Sequence, residues 1–235
     1  MRLQKFLAQA GVGSRRYCET LITTSSVTVN GVLVCELGTS VDPKRDVVRL
    51  NGKIVSLEKI RVFLFYKPLK TLTSMADGYG RRTVADYFAE IKERVYPVGR
   101  LDYNTEGLLI MTNKGSLAYK LTHPSHKVLK QYVVAINGAI SSCQLNQLRM
   151  GLELDDGITA PAIVKLLVKQ RYSSTIKIGI IEGRKRQIRR MFAKIGYEVI
   201  HLKRFQIGNL SLGSLQTGQY RELCQHEVWK LLQKV

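Results

Sequence analysis

The chain has 235 residues, 45% of them apolar, and a formal net charge of +19 with an isoelectric point near 10.0. A disordered basic tail would be poor in Leu, Ile and Val, so this charge belongs to a folded surface and nucleic acid is its expected partner. No run approaches the roughly 18 apolar residues of a membrane-spanning helix, so no membrane partner is expected.

The opening "MRLQKFLAQAGVGSRR" lacks the long apolar segment of a secretion signal. Leu3, Phe6, Leu7 and Ala10 share one helical face, stopped by Gly11 and Gly13. Ser14 is placed to cap a second helix, with Cys18, Leu21 and Ile22 inward and Arg15 and Arg16 in its first turn. Positive charge there opposes the helix dipole, which points the arginine pair at phosphates. Two Asn-Gly turns follow, in "VTVNGVLV" and "VVRLNGKIV", and each predicts a hairpin. The four cysteines, Cys18, Cys35, Cys143 and Cys224, are scattered with no C-x-x-C pair. That spacing fits a reducing cytoplasm and thiols used as small hydrophobes. His123 and His126 lack a second ligand pair, so no metal site is expected.

Residues 56–61, "SLEKIR", read as a short linker that would let a domain of residues 1–58 swing against one of residues 61–235. The second domain begins with the strand "VFLFYKP" and the loop "SMADGYGRRT". A helix is then predicted from Thr83 to Val95, with Val84, Tyr87, Phe88 and Ile91 on one face. In "YPVGRLDYNTEGLLIMTN" two apolar strands flank a polar turn. Asp102 there is either a turn cap or a reactive carboxylate, and Gly107 reads as a turn glycine. Beyond it the pattern predicts a helix at 116–121, the strand "KQYVVAIN", the helix "SSCQLNQLRMG", and strands near 160–168 and 174–181. A helix over 184–196, two short strands and a last helix at "HEVWKLLQKV" complete the chain. Without regular βαβ alternation, the fold class is α+β with an antiparallel-rich sheet.

"EGRKRQIRRMFAKIG" is the densest charge cluster. Ile188, Met191, Phe192 and Ile195 form a core-facing stripe, and Arg186, Arg189, Arg190 and Lys194 lie opposite. No acidic residue within the predicted helix sits at i±3 or i±4 to relieve their repulsion, which favours phosphate contact over a merely solvated face. Arg184 projects onto the apolar side. Either the helix starts after it, or it is a partly buried cation in need of a carboxylate.

These motifs carry a resemblance to a known family. The first sixty residues, through "RLQKFLAQAGVGSRR" and "V-x-V-N-G", resemble an S-four-like (αL) RNA-binding domain. "GRLDYNTEGLLIMTN", "KQY" and "EGRKRQIRRMF" resemble motifs of the pseudouridine synthases, and the whole chain is similar to the RsuA/RluB branch that acts on ribosomal RNA. The resemblance implies isomerisation of a uridine to pseudouridine with no cofactor, metal or nucleotide. It implies that Asp102 is the catalytic aspartate, acting on ribose or base or through a glycal. Arg100 would hold the flipped nucleotide and Tyr132 would stack on the base. Ile188 would line the pocket, and Arg189 would pair with the aspartate, with Arg184 the competing candidate for that pairing. Arg15, Arg16, Arg184, Arg186, Arg190 and Lys194 are the expected RNA contacts. "HPSHKVLKQY" leans to large-subunit rRNA, and a monomer is expected. The competing functions are a noncatalytic RNA-binding or ribosome-assembly factor on the same fold, for which Asp102 need not be Asp, and a DNA-binding protein.

Overall fold

The structure is a computed structural model that describes residues 1–233. The chain divides into two compact units. The first comprises Met1–Arg61 with Glu90–Val95 and Thr112–Gly115, and the second comprises Val62–Ala89, Tyr96–Met111 and the chain from Ser116 onward.

In the first unit, α1 (Leu3–Gln9) and α2 (Arg15–Thr23) pack on a small sheet. Its strands are β1 (Val27–Val29), β2 (Val32–Leu33), β3 (Val48–Leu50) and β4 (Lys53–Ile54), in the antiparallel order β2-β1-β3-β4. Ser14 caps α2, its hydroxyl accepting from the Tyr17 amide at 3.1 Å. Both Asn-Gly pairs adopt positive φ at both residues, 52° and 83° for Asn30-Gly31 and 48° and 77° for Asn51-Gly52. That is the backbone a two-residue type I′ hairpin needs. Leu3, Phe6, Leu7, Cys18, Ile22, Val27, Val41 and Val48 form the core. Cys18 alone among the cysteines is buried; Cys35, Cys143 and Cys224 are exposed and do not serve as packing residues. Residues 56–61 are not a slack connector within this unit. Glu58 accepts from the Arg94 amide at 3.1 Å, and Asn113 donates to the Lys59 carbonyl at 2.8 Å while accepting from the Arg61 amide at 2.8 Å.

The second unit holds β5 (Val62–Lys67), β6 (Tyr96–Val98), β7 (Glu106–Thr112) up to Met111 and α3 (Gly115–Thr122) from Ser116. Next come β8 (Lys130–Asn137), α4 (Ser142–Met150), the hairpin of β9 (Glu153–Leu154) and β10 (Gly157–Ile158), β11 (Ile163–Lys169) and β12 (Ser173–Ile180). Helix α5 (Gln187–Lys194), β13 (Val199–Ile207), β14 (Leu210–Ser211), β15 (Tyr220–Glu222) and α6 (Gln225–Gln233) follow. A nine-stranded sheet runs β11-β12-β8-β13-β7-β5-β15, with β14 on β13 and β6 on β7. The pairings β11–β12, β12–β8, β8–β13 and β5–β15 are antiparallel, and β13–β7 is parallel. The α+β, antiparallel-rich class expected from the sequence is what forms. One buried cluster joins β8, β12, α4 and α5, and a second joins β5, β7 and α3.

Three elements differ from the sequence pattern. Thr83–Val95 is not a helix beyond the single 3₁₀ turn Ala85–Phe88. Asp86 turns back to accept from the Thr83 amide at 2.8 Å, and Phe88 is drawn onto Tyr220 with ring centroids 4.4 Å apart. Helix α5 starts at Gln187, not 184, because Arg186 is left-handed at φ 50°. The first of the two short strands is the nine-residue β13. The last two residues of the final helical run lie outside the described residues. Among the described residues no helix is long and apolar enough to cross a membrane.

Candidate active site

Between β6 and β7 the chain makes the turn Leu101–Thr105, and every one of its backbone carbonyls is held by a different donor. The Thr73 hydroxyl donates to Leu101 O at 2.7 Å, and the Thr105 amide closes on Asp102 O at 3.0 Å. The Lys70 amide donates to Tyr103 O at 2.9 Å, the Arg189 guanidinium to Asn104 O at 2.6 Å, and the Lys67 ammonium to Thr105 O at 2.9 Å. Thr73 also accepts from the Leu101 amide at 3.2 Å, so its one hydroxyl fixes both polar groups of the residue before Asp102. Short, saturated contacts of this kind leave the turn little conformational freedom. Asp102 is half-buried, and its carboxylate has no ion pair or hydrogen-bond partner among the described residues. Arg100 beside it is exposed.

Two buried cations lie under this turn, and neither was singled out in the sequence. Lys67, fully buried at the end of β5, also donates to Pro68 O at 2.8 Å. Burial pushes its ammonium down to about 8, opposed by the negative charges of Asp102 and Glu106 and assisted by Arg204. Arg204 in β13 is 3% exposed. Its Nε donates to Leu108 O at 2.8 Å, and one Nη lies 3.5 Å from the Tyr132 hydroxyl. Its other Nη is buried without a partner. Arg204 reaches the turn from β13, which runs unusually close to β7. Gly107, at φ 116°, sits in β7 opposite Arg204, where a Cβ would overlap the Arg204 carbonyl oxygen. Gly107 is therefore a strand contact glycine, not the turn glycine its position suggested.

The expected site residues of the second unit converge in part. Leu101, Tyr132 and Ile188 belong to one buried cluster, which joins the turn to β8 and α5. Tyr132 is buried with its ring 6.0 Å from the Arg204 guanidinium. Arg189 reaches the turn, although not as an ion-pair partner of Asp102. Its two Nη groups bridge Asn104 O and Val199 O at 2.6 and 2.9 Å, and its Nε is buried without a partner. Burial and Arg186 depress its pKa, while Asp102 and Glu198 oppose the shift, so it senses the Asp102 charge without touching it.

Arg184 is eliminated as the partner of Asp102. It lies before α5 and is spent on the β9–β10 hairpin, donating to Gly157 O at 2.8 Å and Ile158 O at 2.6 Å and pairing with Asp156 and Glu182, each at 3.3 Å. Arg190 also pairs with Asp156, at 2.8 Å, and the Asp156 carboxyl is held at about 2 by Arg190 first and Arg184 second. The basic face is thus partly neutralised by a carboxylate from another element, which a search at i±3 and i±4 could not find. Arg186 and Lys194 are exposed, as are Arg15 and Arg16 on α2. Arg186 and Arg189 line an open groove of about 480 Å³ with Asn137, Tyr197 and Glu198.

A held backbone, an unpartnered carboxylate and an aromatic ring over a buried guanidinium can bind an extruded base and attack it or its sugar. The RNA pseudouridylate synthase family matches residues 61–194, and the S4 domain family matches residues 1–47. The chain is 47% identical to "Ribosomal large subunit pseudouridine synthase B" of Bacillus subtilis (strain 168), over 98% of this chain and 95% of that protein. It is 39% identical to the protein of the same name from Vibrio vulnificus (strain CMCP6), over 94% of this chain and 71% of that protein. The solved structure titled "Crystal structure of pseudouridylate synthase" superimposes with a TM-score of 0.70 at 29% identity, covering 98% of this chain and 99% of that one. The chain belongs to the RNA pseudouridine synthase family and carries an S4 domain at its N-terminal end.

Proposed function

We propose that the chain converts a uridine of large-subunit ribosomal RNA to pseudouridine, with Asp102 as the reacting carboxylate. The N1–C1′ bond breaks, the base rotates and C5–C1′ forms; the C5 hydrogen leaves and N1 takes up a proton. One carboxylate suffices, because the base is both leaving group and incoming nucleophile. The observation that carries the assignment is the turn itself: five consecutive carbonyls are held, and the Asp102 side chain has no partner among the described residues. The substrate follows from the relatives named as large-subunit enzymes.

The roles follow from position. Tyr132, whose hydroxyl faces Arg204, stacks on the extruded uracil, which recovers about 1–3 kcal/mol of the cost of unstacking it. Ile188 lines the pocket and Arg100 holds the nucleotide from the exposed rim. Arg189 fixes the turn through Asn104 and gives the site positive potential. Residues 1–58 grip the RNA backbone through Arg15 and Arg16, Arg186 and Lys194 add phosphate contacts, and residues 61–235 carry out the chemistry. The protein acts in the cytoplasm as a monomer. Mapping pseudouridine in rRNA from cells lacking the chain, with complementation by wild type or Asp102→Asn, tests the reading. One large-subunit site should vanish in the deletion and return only with wild type. Persistence of every site, or rescue by the Asn variant, would defeat it.

A further inference from the structure

Where α3 ends, three rings stand together at the surface. Tyr119 is 57% exposed, and its ring centroid lies 4.7 Å from that of His123 and 5.7 Å from that of His126. The two imidazoles are 6.0 Å apart. The turn that carries the two histidines is fixed by local bonds. The Tyr119 carbonyl accepts from the His123 amide at 2.9 Å, Pro124 then breaks the helix, and the short turn Pro124–His126 closes on a left-handed Lys127 at φ 45°. His123 Nδ1 accepts from the Ser125 amide at 3.3 Å and faces the Ser125 hydroxyl at 2.7 Å. In the neutral ring that leaves Nε2–H as a donor. Capping this turn needs only an acceptor, which Asn or Ser would supply; it does not need a second histidine or an exposed tyrosine.

The surroundings favour an anionic partner that carries flat rings. No acidic residue occurs between Glu106 and Glu153, and Lys120 and Lys127 flank the three rings in sequence. The end of α3 that carries the cluster lies against the strand end before Arg100, where a Cβ on Gly99 would meet the Thr122 side chain at 3.4 Å. We propose that Tyr119, His123 and His126 form a stacking platform for an unpaired RNA base beside the uridine bound at Asp102. This rests on the pseudouridine synthase reading, and it assigns the three rings to the neighbouring nucleotide, not to the reacting one.

The test is fluorescence anisotropy with the full chain and two labelled single strands of about ten nucleotides, within the span one such binding surface covers. One strand carries all its bases, and the other is the same backbone without bases. Tyr119→Ala should weaken binding of the base-bearing strand about tenfold, the scale of removing one base–aromatic stack. Binding of the abasic strand should not change. Tyr119→Phe should retain wild-type affinity. His123→Asn, which keeps a capping acceptor and removes the ring, should weaken binding as Tyr119→Ala does. Wild-type affinity in both ring-removing variants, or an equal loss on both strands, would overturn the platform. Because the readout is binding, failure of the isomerase reading would show separately, as no pseudouridine formed by the unaltered chain on a large-subunit rRNA transcript.

Discussion

Replacing Arg189 by Lys separates two roles that a simple charge count would merge. In the structure the guanidinium spans two carbonyls, Asn104 O at 2.6 Å and Val199 O at 2.9 Å. A lysine keeps the positive charge near Asp102 but is a single point donor that cannot bridge both acceptors. The variant therefore loses at least one charge-assisted hydrogen bond, worth about 1.5–3 kcal/mol. If the turn must hold Asp102 in place in the transition state, that loss lowers the chemical rate by roughly 10–100-fold. Single-turnover release of tritium from 5-tritiated uridine in an rRNA transcript, at saturating enzyme, reads this rate without the binding step. Thermal unfolding should fall by about 3–12 °C, the shift a loss of that size produces in a domain of this length. A wild-type rate in Arg189→Lys, with loss only in Arg189→Met, would show that charge alone matters and that the bridge to Asn104 does not.

Gly107→Ala should cost more than about 3 kcal/mol in urea unfolding, since its Cβ would meet Arg204 backbone at a positive φ; a cost under about 1 kcal/mol would mean that β7 and β13 can separate freely. Lys67 has a folded pKa of about 8, below its ordinary 10.5, so the unfolded chain binds more protons between those values and stability gained there rises with pH. Lys67→Met removes that contribution, at most about 3 kcal/mol, so wild type should gain on the variant as pH rises from about 8 to 10.5; parallel stability curves would contradict the assignment. Arg186→Ala should flatten the salt dependence of RNA binding by about one unit of slope, the share of a single phosphate. Arg190→Ala should flatten it less, because Asp156 already neutralises Arg190; equal effects would refute that distinction.

What could be read in the sequence follows from where the physical signal resides. The Asn-Gly turns, the Ser14 cap, the β8 strand and the apolar stripe of α5 are local patterns, and each formed. Asp102 stood out because its motif is contiguous and its flanks are strands. The means of holding it are invisible in one dimension. Four of the five turn carbonyls take donors from Lys67, Lys70, Thr73 and Arg189, and a backbone acceptor leaves no mark on residue type. Lys67 closes an otherwise apolar strand and reads as a solvated end. Arg204 alternates within β13 as any surface residue might, and only the missing Cβ of Gly107 lets the two strands approach. The pairing of Arg184 and Arg190 with Asp156 joins elements about thirty residues apart, beyond the reach of helical spacing rules.

The central claim is that the Asp102 carboxylate, and no other group, starts the isomerisation. Purified Asp102→Asn and wild-type protein should bind one large-subunit rRNA transcript with equal affinity, because Asn keeps the shape of a side chain whose turn is held through its backbone. At saturating enzyme, pseudouridine should form in the wild-type reaction and be absent from the Asn reaction after many wild-type half-lives. Pseudouridine appearing at a comparable rate with Asp102→Asn would contradict the account.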